Sequence, residues 1–196
     1  MRTSSTGRLA AVILAVLLAL LLQATVLPSF AWRVSGLGVV PDVVLLVVVA
    51  TALLTDIRYG MLTGFFAGLV LDLAPPADHV AGRWTLALMV VGYVVGRLAH
   101  DYTADVARLE SDGVRRPPLP LVLAAAAGGS FVGTSVFALS GLLLADSAAS
   151  VGELLPVALI ALLLDVVAAL LVVPACFWLF RRLGRERAPQ GMWART

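Results

Sequence analysis

Three aspartates stand in or beside long apolar runs, and each of these settings gives a carboxylate a specific problem to solve. Asp42 follows Pro41 at the head of one run, Asp72 closes a glycine-spaced run, and Asp165 falls within another. Proline is preorganised for the first turn of a helix, and an acid there meets the positive end of the macrodipole. Capping therefore accounts for Asp42, with a polar or ion-pairing role as the other reading. Asp72 lies toward the C-terminal end of its helix, where the dipole opposes a negative charge. It needs a partner, external water or a proton. Arg83, with His79 on the same connection, is the candidate for an ion pair. Asp165 is eleven residues beyond Leu154, about 16 Å along a helix axis. A charge at such depth costs at least about 2.5–3.5 kcal/mol on insertion scales and faces a bundle interior. Gln23, a proton, or an arginine of another chain are its candidate partners. Structural hydrogen bonding and a functional role both fit it.

Glycines form the second pattern. Gly60, Gly64 and Gly68 lead to Asp72 in steps of four, so all four share one helical face. Glycines so spaced let a second helix approach closely where lipid removes the hydrophobic incentive to associate. That face either packs within the chain or docks a partner's transmembrane helix. Gly92 and Gly96 repeat the spacing, as do Ala125, Gly129, Gly133 and Gly141, with Phe137 interrupting.

The elements that hold these residues are membrane helices. The 196 residues are 61% apolar and 13% charged, against about 45–50% and about 25% in soluble domains. A small globular core cannot bury such an excess. A spanning helix needs about 20 apolar residues, and six spans are expected: 9–27, 39–55, 60–74, 84–99, 119–145 and 154–180. The first exceeds a signal peptide's apolar region of about 7–15 residues and is read as retained. The second and third are short enough that a shallow or re-entrant hairpin also fits. Pro174 predicts a kink in the last span.

All fourteen basic residues are arginine. With the N-terminus inside, twelve of them lie in cytoplasmic segments and only Arg33 and Arg83 outside, so basic residues predict N-in, C-in. Residues 1–182 then form one transmembrane domain and 183–196 a cytoplasmic tail. Between residues 97 and 118, Leu98, Tyr102, Val106 and Leu109 recur opposite Asp101, Asp105, Arg108 and Asp112. An amphipathic extension of the fourth helix fits this pattern, as does a solvated linker. A net charge of +2 placed beside spans points to anionic lipid rather than nucleic acid. Cys176 is the single cysteine, and no metal, cofactor or disulfide is expected. The sequence has no P-loop, HExxH, nucleophile elbow or dinucleotide fingerprint, so no enzyme activity and no catalytic residue are expected.

Pro41-Asp42, Arg58 with Gly60, and the run Gly64-Phe65-Phe66-Ala67-Gly68-Leu69-Val70-Leu71-Asp72-Leu73 together resemble the rod shape-determining protein MreD family. Pro75-Pro76-Ala77-Asp78-His79, Gly82-Arg83-Trp84 and Gly92-Tyr93 look like the actinobacterial form. The resemblance covers about residues 39–96; in the last two spans hydropathy carries it. The segment from Arg97 to Pro118 is longer than that family's usual connection. The resemblance implies a membrane scaffold of the cell-wall elongation machinery, regulating cell shape. It pairs with MreC, and through it reaches MreB, RodA and a class B penicillin-binding protein. It also implies the six-helix fold of substrate-binding subunits of energy-coupling-factor transporters. The competing reading is a substrate-binding or proton-coupled transporter subunit, with Asp42, Asp72 and Asp165 lining its path. A lipid-modifying enzyme would need catalytic groups clustered at one interface, and none are found.

Overall fold

The computed structural model describes residues 5–34, 37–74, 80–109, 117–144 and 151–183. Side chains at 5–6, 8, 32–34, 37, 103–109 and 151–154 are not among those described. Arg2, His79, Asp112, Arg115, Arg116 and the expected tail beyond Leu183 lie outside the described residues.

Helix α1 spans Ser5–Leu21 and runs on through a π turn, Leu22–Val26, and a 3-10 turn, Leu27–Phe30. Pro28 explains the change of winding, because it has no N–H to donate and its ring crowds the carbonyl four residues back. The Leu27 N–H accordingly reaches back to the Leu22 carbonyl. A hairpin follows, with β1 (Trp32–Val34) antiparallel to β2 (Leu37–Val39) and Trp32 opposite Val39. Then come α2 (Val43–Leu54), α3 (Ile57–Leu73), α4 (Arg83–Leu109), α5 (Leu119–Leu143) and α6 (Val151–Leu183). The fold is an all-helical bundle.

The centre of the bundle is α2. Every residue from Val43 to Ala52 is buried, and the helix touches α1, α3, α4, α5 and α6. A helix apolar all round is one that other elements surround. Around Val44, Leu46, Val48 and Val49 pack Ala15 and Ala19 of α1, Leu88, Val91 and Val95 of α4, Ala125 and Ala126 of α5, and Ala169 and Val173 of α6. Small residues on the surrounding helices let them close on the valine-rich centre, where dispersion rather than escape from water rewards contact.

Among the described residues, three helices are long and apolar enough to cross a membrane: Leu9–Phe30, Leu119–Leu143 and Leu155–Leu183. The expected six spans are not all carried by helices of that kind. The expected second span, 39–55, begins in the β2 strand, and α2 has 12 residues, about 18 Å against a hydrocarbon core of about 30 Å. Helix α3 has 17 residues, about 25 Å. Helix α4 runs unbroken from Arg83 to Leu109, so the segment after Arg97 is a helical extension as far as Leu109. Its Arg97 and Asp101 form an exposed ion pair one turn apart, at 3.6 Å. Helix α6 continues as one helix through Pro156 and Pro174, and Leu155, Leu159, Leu163, Val167 and Leu171 make an exposed stripe along it.

Candidate functional site

The bundle interior holds two polar arrangements, and each is built around the first turn of a helix. The first four N–H groups of any helix have no partner within it. Where such an end lies inside a bundle, water cannot serve, and side chains must.

At the start of α2, Asp42 is the N-cap residue and its Oδ1 accepts from the Leu45 N–H at 3.0 Å. The Asp42 N–H donates to Oδ1 of Asp165 at 2.6 Å. The Val44 N–H donates to Oε1 of Gln23 at 3.0 Å, and the Leu46 N–H bonds the Asp42 carbonyl at 3.0 Å. Helices α1 and α6 therefore complete the cap of α2 from outside it. The second oxygen of Asp165 accepts from the Ser130 hydroxyl of α5 at 2.6 Å. One cluster thus ties four helices, and Asp165 within it is 3% exposed. Asp165 is ten residues into the apolar stretch that begins at Leu155, about 15 Å, or half the hydrocarbon thickness. Helix α2 therefore starts deep in the bundle, and the unusual depth of Asp165 is the depth of the helix end it serves. The π turn of α1 carries Gln23, so the distortion forced by Pro28 falls where the side chain that reaches α2 is presented.

The second arrangement starts α4. Gly82, with φ 99°, precedes it, and the Leu86 N–H bonds the Gly82 carbonyl at 2.9 Å, which makes Gly82 the capping position. Glycine has no side chain to accept from the second and third N–H groups. Asp72 supplies that function from α3: it accepts from the Trp84 N–H at 3.1 Å, the Thr85 N–H at 2.9 Å and the Thr85 hydroxyl at 2.6 Å. The positive end of α4 offsets the opposition of its own helix's dipole. These bonds of Asp72 lie at the start of α4, beside Arg83. Arg83 is buried and donates from Nη2 to the Phe137 carbonyl at 2.9 Å. Its guanidinium carbon lies 4.0 Å from the Phe137 ring centroid, a cation–π geometry. Trp84 stacks on the same ring with centroids 4.5 Å apart.

Of the two readings of the glycine face, the structure shows packing within the chain. Gly60, Gly64, Gly68 and Asp72 are buried against α4 of the same chain. A Cβ on Gly64 would run into the Leu88 backbone, one on Gly68 would lie 2.5 Å from the Thr85 Cα, and one on Gly60 would lie 2.8 Å from the Gly92 carbonyl oxygen. Each step of four along α3 matches a step of about four back along α4. A partner's helix has no access to this face while α4 holds it. On α5, Gly129 and Gly133 give room to Val49 and Leu45 of α2, and Gly141 gives room to the Arg83 guanidinium.

The sequence singles out Asp42, Asp72, Asp165, Gln23 and Arg83, and the structure places Asp42, Asp165 and Gln23 at one helix end. Asp72 stands apart from them at the other. Ser130 and Thr85 were missed, and Phe137 stood out only as an interruption of the α5 spacing. Ser130 had a signal, being a hydroxyl in the apolar, glycine-rich run of α5; the Phe137 carbonyl and the N–H groups that Asp72 meets are backbone and left none. No family model, no curated protein and no solved structure matches this chain.

Proposed function

We propose that this protein is a non-enzymatic scaffold of a bacterial cell-wall elongation complex, of the rod shape-determining MreD type. It sits in the plasma membrane with six crossings and both termini inside. Its partner is MreC, and MreB, RodA and a class B penicillin-binding protein join through that contact. The observation that supports this most is how the interior carboxylates are used. Asp72 and Asp165 each accept from backbone N–H groups and a hydroxyl of neighbouring helices, as a rigid framework requires and a solute path does not. The resemblance over residues 39–96 includes Pro41-Asp42 and the Gly64 to Asp72 run, the residues that build the α2 start and the α3–α4 seam. With that seam closed by α4, the partner's transmembrane helix is assigned to an outward apolar face, such as that of Leu62, Phe66 and Leu69 on α3, which are exposed.

Six crossings are compatible with a 12-residue α2, because a short helix wrapped by protein does not have to match the lipid thickness alone. The exposed arginines Arg58, Arg97, Arg181 and Arg182 all fall at ends assigned to the cytoplasmic side.

Purification of the tagged chain from its own host tests the proposal. The expected result is co-elution of a single-span protein with a large extracytoplasmic domain, together with wall-synthesis enzymes. Co-elution of an ATP-hydrolysing energising module, with solute uptake in proteoliposomes, would replace this reading with the transporter subunit.

A further inference from the structure

Between the N-terminal end of α5 and the C-terminal part of α6 lies a cavity of about 590 Å³, within the range of about 300–1,000 Å³ common for small-molecule sites. Its walls are apolar, with Leu119 and Val122 on one side and Leu170 and Val173 on the other. Arg181 and Arg182 stand at one end of it. Arg182 lies 4.9 Å over the Trp178 ring and Arg181 5.5 Å from the Phe177 ring centroid. Trp178 is half-exposed, as suits an aromatic at the headgroup level. In the sequence, Arg115 and Arg116 immediately precede Pro117, itself a lining residue.

We propose that this groove is a binding site for one anionic phospholipid, with an acyl chain between α5 and α6 and the phosphate held by Arg181 and Arg182. Charge complementarity selects the occupant. A partner's transmembrane helix would fill the apolar length of the groove, but cytoplasmic helix flanks favour basic residues, which would set like charge against Arg181 and Arg182, whereas an anionic lipid supplies both parts in one molecule. Arginine is suited to the phosphate because its planar fork offers paired donors. Basic pockets between membrane helices on the cytoplasmic side hold acidic headgroups by this chemistry. Each guanidinium lies over the ring four residues back, so both arginines reach one turn back along α6 to the rings that line the groove. The inference rests on the membrane reading and is independent of the scaffold assignment.

The full chain in mild detergent, offered equal amounts of phosphatidylglycerol and phosphatidylcholine, provides the test by native mass spectrometry. The unaltered protein is expected to retain the anionic lipid in preference by at least about tenfold, as two arginines facing one headgroup require. R181Q/R182Q should lose that preference while R58Q, an exposed arginine outside the groove, keeps it. Leu170→Trp, which fills the groove from a position already part-exposed, should lower retention of both lipids. Equal retention of the two lipids by the unaltered protein, or an unchanged preference in R181Q/R182Q, overturns the proposal. In cells, a photoreactive residue at Leu170 should yield a phospholipid adduct; adducts only to a second copy or to another protein would overturn it as well.

Discussion

At Asp165 the two carboxylate oxygens meet different donors, a backbone N–H and a hydroxyl, so its structural role and any proton-carrying role separate by substitution. Asparagine keeps an oxygen for the Asp42 N–H and can turn its amide toward the Ser130 hydroxyl, which accepts as well as donates. Asp165→Asn is therefore expected to change thermal stability in detergent little, whereas Asp165→Ala leaves a buried N–H and a hydroxyl without acceptors and costs about 1–3 kcal/mol for each. Asp72 behaves differently. It accepts from three donors over both oxygens, and the amide of an asparagine would set N–H against N–H. Asp72→Asn should lower the Tm markedly more than Asp165→Asn does; equal losses would contradict the bonding described at both places. From the sequence, the importance of these acids was legible in their apolar surroundings, and the capping of Asp42 was legible in Pro41. Their partners were not. An N–H group at a helix start carries no residue signature, whereas Arg83 is a visible charge and so was the natural expectation for Asp72.

Among the helices, the closest approach is α3 on α4, and it sets which glycines tolerate a methyl group. Gly64→Ala would press on the Leu88 backbone, which cannot rotate away as a side chain can, and is expected to destabilise by about 1–3 kcal/mol or more. Gly128, on α5, has open space where a Cβ would stand. Gly128→Ala should be neutral or stabilising by up to about 1 kcal/mol, from helix propensity alone. Thermal unfolding of the two variants in one detergent checks the contrast, and a Gly64→Ala protein as stable as Gly128→Ala would refute the seam. The spacing of Gly60, Gly64 and Gly68 announced a close helix contact without saying with what, because a glycine face is the same whether the neighbour lies in the same chain or another. Helix α2 was the least legible element. Its apolar run reads as a span, and only the packing of five helices around it, with the hairpin that delivers the chain to Asp42, explains a helix of 12 residues.

For the molecule as a whole, positions of opposite assigned side allow the topology to be read directly. With Cys176 replaced by serine, single cysteines at Arg58 or Arg97 should resist an impermeant thiol reagent in intact cells, and one at Val80 should react. Labelling at Arg58 would reverse the orientation. The membrane class was legible from composition, since an excess of apolar residues has no other solvent. The wrapping of a short central helix was not, because it depends on contacts among segments far apart in the chain. The same wrapping underlies the proposal that the interior carboxylates join helices into a scaffold and carry no proton or solute. Cells whose only copy is Asp165→Asn test it most directly, with membrane level checked and both rod shape and recovery of the single-span partner measured. The expected result is normal shape and normal co-purification. A variant that is folded and inserted at normal level, yet leaves cells rounded or loses the partner, would contradict it.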